Sequence, residues 1–318
     1  MAANGPPPIV ADPPATAARD GDGVVRDLAR PVPAPRARPS VLRRVGRRLA
    51  RLVESGPARI GLAIIAFWVV AAALAPWIAP YSPTAQDYTA LASPTPSAAH
   101  WLGTDHLGRD LLSRILFGAR IVLVIAPVTV IAATILGSLL GLYAGYYRGV
   151  VDLVLSRVAD IVLSFPVIIL YMIILAKFGA SVWNIIIVLT LTRAPIIYRI
   201  VRGLTLELRE REYVSAAKMR GESSLYVMVV EILPNARGPL IVDMCLRIGY
   251  NTILIGVLGF LGIGIPPPDP DWGGMVRDTY GMISVWPHMA LIPCAAISSL
   301  VIAFNLLAIG LREIGLRD

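Results

Sequence analysis

Histidine and cysteine are the side chains that most often bind metals or act as nucleophiles, and this sequence has only three and two of them. The histidines are His100, His106 and His288, and the cysteines are Cys245 and Cys294. No acidic residue or cysteine stands at metal-ligand spacing from a histidine. Both cysteines lie in apolar stretches, as small buried residues do. With no nucleophile–base group either, the sequence predicts neither a metal site nor a catalytic centre.

Phosphate binding is the other chemistry that short motifs can reveal. The sequence contains no G-x-x-x-x-G-K-[ST] segment, the loop that cradles the phosphates of a nucleotide. Gly259, Gly262 and Gly264 form a glycine-rich stretch, but it ends an apolar segment and no helix start follows it. We therefore expect no cofactor and no nucleotide to be bound by this chain itself.

Long apolar stretches make up much of the chain, in which 56% of the residues are hydrophobic and only 16% are charged. Soluble domains carry about 25% charged residues. A bilayer crossing needs about 20 mostly apolar residues, and the sequence has six such stretches. It therefore predicts an all-α membrane protein with six transmembrane helices. These are residues 59–79, 120–145, 153–176, 182–201, 239–262 and 288–311.

The net charge of +8 is concentrated at a few junctions between the apolar stretches. Aromatic residues do not alternate with the basic ones, so nucleic acid is not an expected partner. Arginines precede the first span, and a second basic segment, 202–238, separates the fourth span from the fifth. With six spans these segments and the C-terminus share one side. The positive-inside rule then predicts that both termini and the 202–238 segment are cytoplasmic.

Charged residues inside the predicted spans need partners, because an isolated charge in lipid is costly. Arg157 and Asp160 are three residues apart in the third span, and Asp243 and Arg247 are four apart in the fifth. Both spacings allow an ion pair on one helix. Arg193 lies nearer the middle of the fourth span. No chain of acidic residues crosses the membrane, which argues against a proton-coupled carrier.

The N-terminal residues 1–50 differ from the rest of the chain. They are rich in proline, alanine and arginine and have no helical or strand periodicity. Such a segment cannot bury enough apolar surface to offset the entropy of ordering it. We interpret it as a disordered cytoplasmic arm, and since it has no early apolar core we do not expect a secretory signal peptide. An arginine-rich transit peptide is the alternative.

The basic segment between the fourth and fifth spans predicts two short helices. Good helix formers run from Glu207 to Met219, and Gly221 is a typical helix stop. Ser223 or Ser224 can cap a second helix, which Pro234 would end. A rigid element of this kind could take force from a partner protein. The alternative is a pair of short amphipathic helices such as the cytoplasmic loop of any membrane protein can form.

Two further patterns concern packing. Gly137, Gly141 and Gly145 recur every four residues in the second span, and such a face lets another helix approach closely. Residues 100–120 predict a turn followed by an amphipathic helix that Asp105 can cap. This helix could contact the substrate-binding protein or lie near a gate, or it could be a structural belt. Trp272 and Trp286 on the outer loop could equally be interfacial anchors.

The segment between the fourth and fifth spans resembles part of a known protein family. The residues Tyr213-Val214-Ser215-Ala216-Ala217, then Gly221, then Ile232-Leu233-Pro234-Asn235 resemble the EAA loop of type I ABC importer permeases. In that family the loop is the coupling element that docks into the ATPase subunit. Ser215 stands where the family most often has glutamate, so a charged contact is missing there. The residues that the resemblance assigns to coupling are Glu212, Tyr213, Ser215, Ala216, Ala217, Lys218, Gly221, Leu233 and Pro234.

Two outer segments narrow the resemblance to dipeptide and oligopeptide permeases of the DppC/OppC type. The first is the stretch from His100 to Asp110, continued by Arg114, and the second is the stretch from Pro266 to Met275. With the EAA-like loop they stand in the family's order, and the resemblance covers residues 55–315. The motif residues are Gly103, Thr104, Asp105, Gly108, Arg109, Asp110, Arg114, Trp272, Gly273 and Met275.

The resemblance implies a domain organisation and a set of partners. It implies a type I (MetI-like) fold in a bacterial plasma membrane. Residues 51–116 would form the first transmembrane helix and an outer segment, and residues 117–313 the transmembrane domain with its coupling loop at 205–238. A homologous second permease, two ATPase subunits that bind the ATP, an extracytoplasmic binding protein and membrane lipids would be the partners. The chain itself would not be an enzyme.

Substrate is the least determined property. The resemblance implies import of di- or oligopeptides, but permeases of the same group also carry nickel chelates, glutathione or opines. A self-sufficient secondary transporter and a membrane-embedded enzyme are the other classes to consider. Both would need polar residues at mid-membrane, a line of acidic groups or a catalytic cluster, and the sequence has neither.

Overall fold

The computed structural model describes residues 55–315, and within them the chain is helical, with isolated β-bridges only between Gln86 and Arg109 and between Thr104 and Asp110. The expected disordered arm, 1–50, lies outside the described residues. The helices are α1 Gly56–Ile78, α2 Leu111–Tyr147, α3 Gly149–Ser164, α4 Val167–Phe178, α5 Val182–Leu208, α6 Glu212–Met219, α7 Leu233–Phe260, α8 Trp272–Thr279 and α9 His288–Gly315.

The predicted all-α membrane fold is confirmed. Among the described residues, five helices are long and apolar enough to cross a bilayer, namely α1, α2, α5, the segment Gly238–Phe260 of α7 and the segment His288–Glu313 of α9. The bent pair α3 and α4 makes a sixth crossing if it is counted as one span. The chain is therefore a multi-pass membrane protein.

The third span differs from the prediction of one helix over 153–176. Helices α3 and α4 meet at an angle of 89°. The break falls at Phe165, which is extended with φ −80° and ψ 139°, and at Pro166, the N-cap of α4. A proline disfavours the helical conformation of the residue before it. This local restriction explains why the apolar pattern continues while the helix does not.

Helix α2 is longer than predicted. It begins at Leu111 instead of residue 120 and runs for 37 residues, a length of about 55 Å. The separate amphipathic helix expected in residues 100–120 is therefore wrong, because its second half is the first part of α2. The predicted cap is also wrong. Asp110 caps the helix by accepting from the backbone N–H of Ser113 at 2.8 Å, whereas Asp105 organises the preceding turn.

The glycine face of α2 packs against α5, as predicted. A Cβ atom on Gly137 would lie 2.7 Å from the carbonyl oxygen of Ala194, and one on Gly141 would lie 2.8 Å from that of Tyr198. A Cβ on Gly145 would lie 2.7 Å from the Cβ of Thr205. Only glycine allows the two backbones to approach so closely at three successive positions, over slightly more than two turns.

The segment before the fifth span also differs from the prediction. The first expected helix is divided at residues 209–211 between the end of α5 and α6. The second does not end at Pro234 but continues from a helical turn at Ser224–Tyr226 through a π-helical segment, Val227–Ile232, into α7. Pro234 lies in the first turn of α7, where a missing N–H is tolerated. The segment that follows α6 is thereby continuous with a membrane-spanning helix.

The two largest of the four apolar clusters among the described residues hold the bundle together. The larger one lies toward the end that carries residues 100–114 and 261–287, which we call the knot end. The smaller one lies toward the end that carries residues 205–238, which we call the elbow end. The buried residues of the smaller cluster are Ala133, Leu142, Ile197, Val201, Val214, Ala217, Val227, Met228, Ile232, Ala236 and Leu240.

Candidate functional site

Helix α6 has one side buried in the chain and one side exposed. Val214 and Ala217 are fully buried in the smaller apolar cluster. The exposed side carries Glu212, Ser215 and Lys218, while Tyr213 and Ala216 are half-buried. Ala217, one of the residues that the resemblance assigns to coupling, packs inside its own chain. A partner that docked on α6 would therefore contact its other residues.

The turn after α6 is a fixed elbow. Gly221 has a φ of +80° and a Cβ placed on it would meet open space, so its backbone conformation alone favours glycine. Ser223 caps the following turn by accepting from the N–H of Tyr226 at 3.2 Å. Arg220 donates to Glu231 across the elbow at 3.3 Å. The predicted glycine stop and serine cap are both confirmed.

The elbow is tied to the end of α2. Arg209 donates to the carbonyl oxygen of Tyr146 at 2.6 Å, which is one of the acceptors left free at a helix C-terminus. The ammonium of Lys218 lies 5.4 Å from the centre of the Tyr146 ring, a cation–π contact. Sequence reasoning missed Arg209 and Tyr146, since 63 residues separate them and no periodic pattern links them. A displacement of α6 must therefore move the end of α2.

An open groove of about 690 Å³ runs beside α6. Its rim is strongly charged, and Leu233 and Pro234, two of the residues assigned to coupling, are half-buried next to it. A concave surface with a polar rim suits a protein partner. The groove is lined by Leu208, Glu210, Arg211, Glu212, Tyr213 and Asn235.

At the knot end, Asp105 organises the turn that precedes α2. It accepts from the backbone N–H groups of Leu107 and Arg109 at 2.9 and 3.0 Å, and from the Arg109 side chain at 2.7 Å. Gly108 has a φ of +72°, and a Cβ there would lie 2.3 Å from the carbonyl oxygen of Asp87. Arg114 donates to the carbonyl oxygen of Pro83 at 3.0 Å. These contacts fold residues 83–114 back onto the start of α2.

His100 connects two acidic residues in the same region. Its Nδ1 lies 2.9 Å from Asp110 and its Nε2 lies 3.4 Å from Asp87. Hydrogen bonds from the hydroxyl and backbone N–H of Thr89, and from His100, lower the pKa of Asp87 to about 2. Asp87 is therefore an anion throughout the physiological range.

Trp272 joins the second outer segment to the bundle. It is fully buried, donates from Nε1 to the carbonyl oxygen of Ile115 at 3.1 Å and contacts the ring of Trp68 edge-on at 5.0 Å. A Cβ on Gly118 would lie 2.7 Å from the Trp272 ring. The expectation that Trp272 is an interfacial anchor is wrong, because it packs between helices.

Asp271 caps α8 beneath the loop that follows α7. Its carboxylate accepts from the N–H groups of Gly273 and Gly274 at 3.3 and 3.1 Å. Burial raises the pKa of Asp271 to about 6, against the opposing effect of these two hydrogen bonds. The cap therefore titrates at mildly acidic pH.

The ten motif residues of the outer segments share one property, which is that all of them are buried. Their side chains bind and pack within the chain, and a small cavity of about 130 Å³ lies between Arg109, Arg114 and Asp271. Of the two interpretations of residues 100–120, the structural one fits this burial. The ten motif residues hold the knot end together, whereas Trp101, Leu107 and residues 266–269 of the same stretches are exposed.

The ion pairs predicted inside the spans are present. Arg247 binds Asp243 on α7, and Arg157 lies 3.7 Å from Asp160 on α3. Sequence reasoning missed that Arg199 of α5 also binds Asp160, because this contact joins two helices. Among residues 55–315 no three histidine, cysteine, aspartate or glutamate side chains lie close enough to hold a metal ion.

Comparison with known proteins assigns this arrangement of helices to a class. Residues 137–314 match the family described as the binding-protein-dependent transport system inner membrane component. Residues 42–95 match the N-terminal transmembrane domain of oligopeptide transport permease C. The chain belongs to this family of ABC importer permeases, which confirms the resemblance to the DppC/OppC type.

Three relatives illustrate the range of names in the family. The chain is 38% identical to the glutathione transport system permease protein GsiD of Pectobacterium atrosepticum, over 79% of this chain and 82% of that protein. It is 38% identical to the dipeptide transport system permease protein DppC of Haemophilus influenzae, over 80% and 88%. It is 37% identical to the probable D,D-dipeptide transport system permease protein DdpC of Escherichia coli, over 85% and 90%.

Proposed function

We propose that this chain forms half of a translocation pathway for di- or oligopeptides and is driven by separate ATPase subunits. The observation that carries the proposal is helix α6. Its inner side is buried in the smaller apolar cluster, which also contains residues of α2, α5 and α7, and its outer side is exposed and polar. An element of this kind transmits force, since a partner that moves it must move the spans. The permease names of the relatives support peptides as the cargo.

The orientation follows from the charge distribution. Arg209, Arg211, Lys218 and Arg220 place four cations at the elbow end. The positive-inside rule puts that end, and both termini with it, in the cytoplasm of a bacterial cell. The ATPases would then reach the elbow, and an extracytoplasmic binding protein would deliver solute at the knot end.

The family implies that the chain does not work alone. A homologous second permease would complete the pathway, and two ATPase subunits would bind and hydrolyse the ATP. The chain would therefore have neither enzymatic activity nor a cofactor of its own. Glutathione is the second candidate cargo, because it is itself a peptide and one relative is named for it.

A charge reversal at the exposed side of α6 tests the docking surface. In the complete importer, Glu212→Lys should reduce co-purification of the ATPase subunits and, with it, ATP-driven uptake of a labelled dipeptide by about tenfold, as loss of one charged contact does. Asp269→Lys, an exposed acid at the knot end, is the matched control and should retain the ATPases. Retention of the ATPases by both variants would exclude docking at α6, whereas uptake by the chain alone would exclude the proposed function.

A further inference from the structure

A polar stripe follows one side of α3. Asp152, Ser156, Asp160 and Ser164 recur every four residues, so they share one face of the helix. The opposite face is apolar and exposed at Val154, Val158 and Ile161. A membrane-spanning helix that carries such a stripe cannot be surrounded by lipid on all sides.

Helix α5 supplies a partner for most of the stripe. Arg202 donates to Asp152 at 2.6 Å, and the hydroxyl groups of Tyr198 and Ser156 lie 2.9 Å apart. Arg199 donates to Asp160. The two helices therefore share a ladder of polar contacts that runs from the elbow end into the bundle.

Exposure rises along this ladder toward the middle of the span. The Asp152 side chain is 14% exposed, whereas Asp160 is 45%, Arg199 is 52% and Arg157 is 73% exposed. Asp160 lies in the bent pair α3 and α4, which makes the sixth crossing if it is counted as one span. Counted in this way, the span and α5 together carry three charged side chains that are open to their surroundings, and lipid would be a poor neighbour for them.

The break between α3 and α4 lies at the C-terminal end of the same stripe, directly after Ser164. Ser164, Phe165 and Pro166 are all exposed. Pro166 has no N–H, and the hydroxyl of Ser164 turns back to the carbonyl oxygen of Ile161 at 2.7 Å. Irregular backbone at membrane depth is tolerated only where protein covers it or where it lines a water-filled cavity. The exposed break and the exposed charges thus point independently to the same conclusion.

We propose that the stripe and the break line the aqueous translocation pathway, and that Arg157 and Arg199 contact the carboxylate of the passing solute. Two arginines face one aspartate here, so the cluster has a net charge of +1 that can attract an anion. A guanidinium also offers paired donors that match a carboxylate. The carboxylate assignment rests on the proposed function, whereas the assignment to a water-filled pathway does not.

Thiol labelling tests the pathway independently of the solute. In the complete importer with Cys245 and Cys294 replaced by alanine, Ser164→Cys should react with a charged, membrane-impermeant methanethiosulfonate reagent. Val158→Cys, on the apolar face and about 120° around the helix from Ser164, is 51% exposed; it is the matched control and should react at least tenfold more slowly, as a lipid-covered thiol does. Ser164→Cys that resists labelling with and without ATP, or that instead cross-links to the second permease, would overturn the pathway assignment.

Two substitutions separate solute contact from a structural ion pair. Arg199→Gln removes a positive charge and should lower ATP-driven uptake of a labelled dipeptide about tenfold, the value of one charged hydrogen bond. Asp160→Asn breaks the same pair but retains both arginines, so uptake should stay within about twofold. Equal losses in the two variants would overturn the carboxylate contact. Absence of uptake by the unsubstituted importer would instead overturn the proposed peptide function and leave the labelling result unaffected.

Discussion

At the scale of single residues, Asp271 shows how burial changes the chemistry of a helix cap. Its carboxylate is only 4% exposed and accepts from two backbone N–H groups of α8. These bonds favour the charged form, but the loss of solvent is the larger effect and raises the pKa to about 6. The cap is therefore a group whose charge changes at mildly acidic pH.

The raised pKa of Asp271 predicts a pH dependence of stability. The folded state holds the proton more tightly than the unfolded state, whose carboxyl has a pKa of 3.8, so the contribution of Asp271 to stability is fully present below about pH 4 and is lost as pH rises through about 6. The fall should approach about 3 kcal/mol, the value of two pKa units. Thermal unfolding in detergent between pH 4 and 7 measures it. Asp271→Asn should flatten this part of the profile, and an unchanged slope would contradict the assignment.

The motif residues show what single positions in a sequence reveal. Asp105, Gly108 and Trp272 were identified by type and order, yet the sequence placed them at an outer surface. Their burial depends on contacts such as the hydrogen bond from Trp272 to Ile115, which joins residues 157 positions apart. No local sequence pattern indicates such a contact. The sequence therefore identified these residues as important but could not predict that they pack inside the chain.

At the scale of helices, the glycine face between α2 and α5 sets how closely the two spans approach. The face was readable from the sequence because its four-residue spacing is a local property. The break at Phe165 and Pro166 was also encoded locally, by the restriction that proline places on its predecessor. By contrast, nothing local indicates that α7 continues through Pro234, because the π-helical segment before it is stabilised by packing in the smaller cluster.

Replacement of glycine by alanine should have opposite effects on stability at a glycine of this face and at a glycine outside it. Gly141→Ala should destabilise the bundle by about 1–3 kcal/mol, since its methyl group would overlap the backbone of α5. Gly203→Ala, on α5, meets no atom within 4 Å and should be neutral or stabilising by about 0.5–1 kcal/mol. Thermal unfolding of the two purified variants provides the measurement. Equal shifts would show that the close contact does not limit the packing.

At the scale of the whole molecule, side-chain contacts connect the elbow to α2, and α2 to the residues of the knot end. Arg209 binds the last turn of α2, and Asp110 and Trp272 hold its first turns. A movement applied at the elbow therefore reaches the opposite end of the bundle without passing through a flexible segment. This connection is the physical basis for assigning a force-receiving role to α6.

The path from elbow to α2 predicts a variant that separates ATP hydrolysis from transport. Arg209→Gln removes the donor to the carbonyl oxygen of Tyr146, so the ATPases should still dock and hydrolyse ATP while dipeptide uptake falls about tenfold. Arg312→Gln, an exposed arginine near the end of α9, is the matched control and should leave both activities unchanged. Parallel loss of hydrolysis and uptake in Arg209→Gln would indicate a docking defect instead.

The length of α2 has a consequence for how the protein sits in a membrane. Its 37 residues measure about 55 Å, and an apolar layer about 30 Å thick covers about 39 Å of a helix tilted by 40°, the upper end of the usual range. At least ten residues must therefore project into the headgroups or the water. A change in lipid chain length should accordingly be absorbed by sliding of these projecting turns through the interface, with little bending of the bundle.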